Sequence, residues 1–207
     1  WREVSSMLRT SFPVAVQTSE AACEIQFGFI RRPTHQNTTW DLAKDEVPAH
    51  KWVDLSQRDY GVALLNDSKY GHKVKHNVID LNLLRSVPYP HPPTREPKDT
   101  SPGAPHFGYT DQSDHSFSYA LYPHAGDHIA GGVIRADYEF NYPLRTLALQ
   151  ARQSAGPASK SFLQIDVSNI IIETVKKTED DKGLIIRLYE ATGVSTPAVI
   201  QFGIPVD

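Results

Sequence analysis

The stretch from Glu46 to Gly71, EVPAHKWVDLSQRDYGVALLNDSKYG, sets short apolar runs against a dense load of large polar groups. Val53 and Leu55 precede a polar break at Gln57-Arg58-Asp59, and Val62 to Leu65 follow it. That pattern predicts a strand, a turn and a strand. Such a unit has little structural need of His50, Lys51, Trp52, Asp54, Asp59, Asp67, two tyrosines and Asn66 together. The polar side chains therefore mark this unit as the place to look for function.

Outward from it, the dominant hydrophobic period is two rather than 3.6. Ile25, Phe27 and Phe29 alternate with polar or small residues, as do Phe12, Val14 and Val16. Ile79, Leu81 and Leu83 share one face and Asp80 and Asn82 the other, and Phe117, Tyr119 and Leu121 form a similar row. Ile170-Ile171-Ile172 and Leu184 to Leu188 flank a charged turn ending in Lys182-Gly183, which predicts a hairpin, and Ala198 to Phe202 predicts one more strand. Each strand offers one apolar face that a second sheet must cover, so the expected class is mainly β, an antiparallel sandwich. The one helical hint spans Ile129 to Tyr138 and is weakened by Gly131-Gly132.

Seven of the 15 prolines fall between Val87 and Gly108. Proline brings no donor to a ladder, so residues 87–108 read as a long extended surface loop, with a domain boundary as the competing reading. With the loop, residues 1–207 are expected to form a single region. The chain begins at Trp1, inside what reads as a strand, and is taken as a fragment of a longer polypeptide.

Composition narrows the function classes. A chain of 207 residues buries roughly 70% of its unfolded surface without staples. A net charge of -3 with scattered Lys and Arg gives no electrostatic case for nucleic acid or an anionic membrane. No apolar run reaches the roughly 20 residues of a membrane helix. The single cysteine, Cys23, excludes an internal disulfide and a cysteine-based zinc site, and favours a reducing compartment.

Nine histidines raise the question of a metal. His124 and His128 are four apart, a ligand spacing on a helix, but Pro123 and Gly126 place them in a turn. Surface or capping roles are the plainer expectation, and His72 and His76 fail the same test in a strand. Asp54, Asp59 and Asp67 are carboxylates without a spacing that pairs them for glycoside chemistry. No nucleophile elbow, phosphate loop or zincin motif is present. Three Trp and nine Tyr would suit sugar stacking, yet sandwich cores use the same residues; for Trp52 both a ligand-facing and a core position stay open.

Several segments in order resemble the C-terminal region of the glycoside hydrolase family 38 α-mannosidases, in the cytosolic and bacterial branch. They are Trp1 to Glu3 with Ser11 to Val14, Arg32-Pro33-Thr34-His35 through Thr39-Trp40-Asp41, and Glu46 to Gly71. Further along come Tyr119 to Asp127, Asn141 to Leu144, and Glu173 to Glu190. The proline loop departs from the pattern, and His128 stands where this branch usually carries Trp. The resemblance implies a galactose-mutarotase-like supersandwich that packs on an N-terminal catalytic domain. Its parent would be a retaining enzyme that hydrolyses terminal α-mannosidic bonds in α-mannosides or oligomannose glycans.

By that resemblance, the nucleophile and a divalent metal, zinc or cobalt, lie in the N-terminal domain. No catalytic residue, metal ligand or cofactor is carried over to this chain, which alone should be inactive. The resemblance further implies that Lys51 and Trp52, with His50 and Asp54 behind them, sit at the rim of the sugar pocket, or else fix the interface between sandwich and barrel. It implies a cytoplasmic parent, possible homo-oligomerisation, and no nucleic-acid or membrane partner. A stand-alone carbohydrate-binding module and a purely structural oligomerisation domain are the alternatives.

Overall fold

The computed structural model describes residues 1–89, 108–148 and 159–205. It is mainly β, and the strand pairs whose register is described are antiparallel. The chain divides into two compact units, one of residues 1–24 and 30–142, the other of residues 25–29 and 143–207.

The first unit is a sandwich. One sheet contains β1 (Ser6–Pro13), β8 (Val78–Ser86), β7 (Gly71–Lys75) and β4 (Val47–Pro48), in that spatial order. The other runs β3 (Gly28–Pro33), β2 (Glu20–Ile25), β5 (Trp52–Ser56), β6 (Tyr60–Asn66) and β9 (Tyr119–Ala125). The predicted strand-turn-strand is β5 and β6, with Val53 opposite Leu64 and Leu55 opposite Val62. These four join Cys23, Val74, Ile79 and Leu81 in one buried apolar cluster. Burying a Leu or Ile side chain stabilises by about 1.5–3 kcal/mol, which is why the alternation decides the fold. The expected row Ile79, Leu81, Leu83 is buried in β8. A register shift between Leu8 and Arg9 then lets Leu83 and Leu84 both reach the core.

Three expectations change. Ile25, Phe27 and Phe29 do not line one strand: β2 ends at Ile25, Phe27 stands in the turn with φ 60°, and β3 begins at Gly28. Trp1 is not in a strand; β1 starts at Ser6. In β9 the row Tyr119, Leu121 is 40% and 44% exposed, while His124 on the opposite face is buried. β9 is the last strand of its sheet, so its apolar row has a neighbour on one side only.

Of the two helices among the described residues, only the second was legible in the sequence, and weakly. α1 (Thr39–Ala43) has a capping box: Asp41 N–H donates to the Thr38 hydroxyl, and Thr38 N–H donates back to Asp41. α2 (Val133–Asn141) occupies the second half of the predicted helical stretch. Gly131 and Gly132 both precede it, Gly132 being its N-cap, so neither weakens its interior. Most of the proline-rich segment lies outside the described residues. At its ends Pro88 bridges Tyr109, and the donors are Tyr89 N–H to Gly108 and Thr110 N–H to Val87, so proline's missing donor costs nothing there.

The second unit holds two small pairs, β10 (Leu163–Ile165) with β13 (Ile200–Phe202) and β11 (Ile170–Lys177) with β12 (Leu184–Glu190). The latter is the predicted hairpin. Arg187 reaches Glu173 across it at 3.4 Å. Among the described residues Glu190 forms no such pair; it caps the turn after β12, accepting from Gly193 N–H at 2.6 Å and Thr192 N–H at 2.8 Å.

Candidate functional site

The polar residues of the opening stretch sit on the side of the second sheet that faces away from the apolar core. Register places Trp52, Asp54 and Ser56 opposite Leu65, Ala63 and Gly61, which in turn oppose Ala120, Tyr122 and His124. Residues directly opposite share a face. α2 packs over this face, on β5 and β6. The sheet is therefore covered on both sides, by the other sheet and by a helix. The layer beneath the helix is polar: Glu24, Asp54, His124, His128 and Asp137 are all buried.

Lys51 is the centre of the first cluster. Its Nζ lies 2.9 Å from Glu24 Oε1 and 2.9 Å from Asp137 Oδ2, and 4.3 Å from the centre of the Tyr138 ring. Glu24 also accepts from Lys51 backbone N–H at 2.6 Å, so it holds the residue at both ends. Asn141 Nδ2 donates to Asp137 Oδ1 at 2.8 Å and to the Asn66 carbonyl at 3.2 Å. Asn66 in turn donates to the His50 carbonyl at 2.8 Å. Burial by itself would lower the Lys51 ammonium, but the Glu24 and Asp137 carboxylates outweigh it and hold the pKa above its usual value. Burial raises the Asp137 carboxyl to about 6 against the opposing pull of Lys51. One cation thus sits between two carboxylates, and removing it would leave two buried acids uncompensated, at a cost of about 3–5 kcal/mol.

His124 and Asp54 form the second cluster. His124 Nε2 is 2.7 Å from Asp54 Oδ2, and the Ser56 hydroxyl donates to Asp54 Oδ1. The imidazole fits because residues 61 and 131 lack side chains. A Cβ on Gly61 would lie 2.4 Å from His124 Cε1, and one on Gly131 would lie 2.2 Å from Nδ1. His128 lies against Trp52 with ring centres 5.5 Å apart and the planes tilted by 32°, and burial lowers its pKa. The expectation of surface or capping histidines is therefore wrong for both: each lies in the layer beneath α2. Among the described residues no three His, Cys, Asp or Glu side chains converge to hold a metal, and the residues present do not fit one.

The four expected rim residues occupy different depths. Trp52 and Asp54 are each 1% exposed and lie inside the layer. Lys51 keeps 21% of its side chain exposed, and His50 is half-buried with its ring 5.2 Å from Tyr70. Reading the sequence missed Glu24, Asp137 and Tyr138, which come from β2 and α2 and carry no local motif. Lys69 reaches no carboxylate among the described residues; its Nζ lies 5.1 Å from the centre of the Phe117 ring. Cys23 is buried, and desolvation raises its thiol to about 11, which removes it as a nucleophile.

Fold and site together define a sandwich region with a structured, buried polar layer. The family model for the glycosyl hydrolases family 38 C-terminal domain matches residues 1–93, and that for the family's C-terminal beta sandwich domain matches residues 169–207. The chain is 41% identical to alpha-mannosidase 2C1 of Homo sapiens over its whole length and 39% identical to alpha-mannosidase G of Dictyostelium discoideum over 95% of it. It spans 18% and 17% of those relatives. The crystal structure of an alpha-mannosidase from Enterococcus faecalis V583 aligns with a TM-score of 0.75, over 95% of this chain and 21% of that one, at 20% identity. This chain belongs to the C-terminal region of glycosyl hydrolase family 38.

Proposed function

We propose that the chain is the accessory C-terminal part of a retaining α-mannosidase that hydrolyses terminal α-mannosidic bonds. It packs on a catalytic domain of the same polypeptide and walls the sugar pocket. The observation that carries this reading is the 41% identity to a protein named alpha-mannosidase across all of this chain. The divalent metal, zinc or cobalt, and the nucleophile belong to the catalytic domain, and the parent is cytoplasmic.

Within this reading Lys51 is the residue that meets the sugar side. Its charge is permanent, its position is set by Glu24 and Asp137, and a fifth of its side chain is open. Trp52 and Asp54 act from behind it, one through packing and one through His124, and His50 flanks it. A cation held in place contributes binding energy that the reacting centre can use. The test is Lys51→Met in the full-length polypeptide, compared with wild type at equal folded fraction. A raised KM for an α-mannoside, at unchanged oligomeric state, is the expected result. Wild-type KM and turnover in a variant whose assembly alone is damaged would overturn the pocket role.

A further inference from the structure

A cleft of about 80 Å³ opens in the first unit, away from the layer beneath α2. Its walls bring together Arg31 and Arg32 of β3, Lys44 at the end of α1, and Lys75 of β7. Cys23 and Val74 line it as well. In sequence these cations span more than forty residues of a chain whose net charge is -3, and only folding gathers them.

Two acids share the lining, Asp41 and Asp45, and both are already engaged. Asp41 accepts from the Thr38 hydroxyl at 2.8 Å and from its N–H at 3.2 Å, closing the cap of α1. Asp45 is held by Lys73 at 2.8 Å. Three of the cations are not matched in this way. Among the described residues Arg32, Lys44 and Lys75 form no ion pair. Lys75 makes one long bond, 3.4 Å to the Lys44 carbonyl, and Arg32 Nη2 donates to the Pro48 carbonyl at 3.1 Å. Arg32 Nε is buried without an oxygen or nitrogen acceptor, and beside the guanidinium stands the Cys23 thiol, a weak hydrogen-bond partner. Buried donors in folded proteins are paired in the great majority of cases, so a guanidinium this weakly matched at a cationic cleft calls for a stronger acceptor.

We infer that this cleft is a binding site for a compact oxyanion, a phosphate or carboxylate group held by Arg32, Lys44 and Lys75. A guanidinium offers a planar fork to two oxygens of such a group, and two ammonium groups beside it supply the remaining charge. The group comes either from a free ligand or from an acidic side chain elsewhere in the same polypeptide. Both present the same chemistry to the cleft.

Inorganic phosphate is the probe, titrated calorimetrically at low ionic strength into the full-length polypeptide and into the 207-residue chain. Saturable binding that weakens about fivefold or more in Lys44→Gln and again in Lys75→Gln is expected, with thermal unfolding unchanged in both variants. Lys177→Gln, which alters an exposed pair with Asp181 on the hairpin, should leave binding alone. Equal uptake by both proteins identifies a free ligand. Uptake by the chain and not by the full-length polypeptide identifies a side chain of the polypeptide as the occupant. Both outcomes support the site. The absence of saturable binding in the 207-residue chain, or binding indifferent to the two substitutions, overturns it.

Discussion

Gly61 and Gly131 show how much a single hydrogen in place of a methyl group decides. They flank the His124 ring closely enough that a Cβ at either position would overlap it. Gly61→Ala or Gly131→Ala must push the imidazole off Asp54 and leave a buried carboxylate short of its partner. A loss of about 2–4 kcal/mol is expected for each, read as a shift in the urea midpoint. A second prediction concerns Asp137. Its carboxyl is raised from 3.8 to about 6 in the folded chain, so between those values the folded state holds a proton that the unfolded state has released. The stability this group contributes is full below pH 4 and is lost as pH rises through 6. Asp137→Asn should remove that decline, so the wild-type and variant stability curves should differ in slope between pH 4 and 6 and run parallel above 7. Parallel curves throughout would refute the assignment. Cys23 should resist thiol reagents in the native protein and react on unfolding, as its burial and raised pKa require.

At the level of single elements, the turn after β12 behaves as a carboxylate cap. Burial alone would raise the Glu190 pKa, but the hydroxyl of Thr192, the Asn169 amide and the Thr192 and Gly193 N–H groups draw it down to about 2. Its contribution is therefore full above pH 4.5 and fades as pH falls toward 2. Glu190→Gln should lose that contribution at neutral pH and show a shallower acid transition, measured by circular dichroism. Strands were the most legible elements, because their apolar runs are written in adjacent residues: β5, β6 and the β11–β12 hairpin form where those runs lie, and β8 follows its alternation up to Leu83. Helices were less so. α1 is five residues long, too short for a 3.6 period to declare itself, and its only signal is the pair Thr38 and Asp41. α2 was blurred by two glycines that turn out to precede it. The β9 row was correctly placed on one face, but burial went to the other face, because a strand at the end of its sheet is covered only where something packs on it.

For the molecule as a whole, the reading as an accessory region carries its own test. The 207-residue chain should show no cleavage of an α-mannoside under conditions where the full-length polypeptide, on the proposed function, turns it over; steady turnover by the chain alone would contradict the assignment. Adjacent residues were enough to establish the antiparallel sandwich class, the hairpin, and a family resemblance carried by ordered motifs, since each of these rests on local pattern. The polar layer beneath α2 and the cationic cleft were not readable in that way. Glu24, Lys51 and Asp137 are separated by dozens of residues, as are Arg32, Lys44 and Lys75. Whether a charged side chain meets water, a partner or an orphaned donor depends on which strands lie side by side and what covers them. That is set by long-range packing of the sheets and the helix, and no short window of the chain contains it.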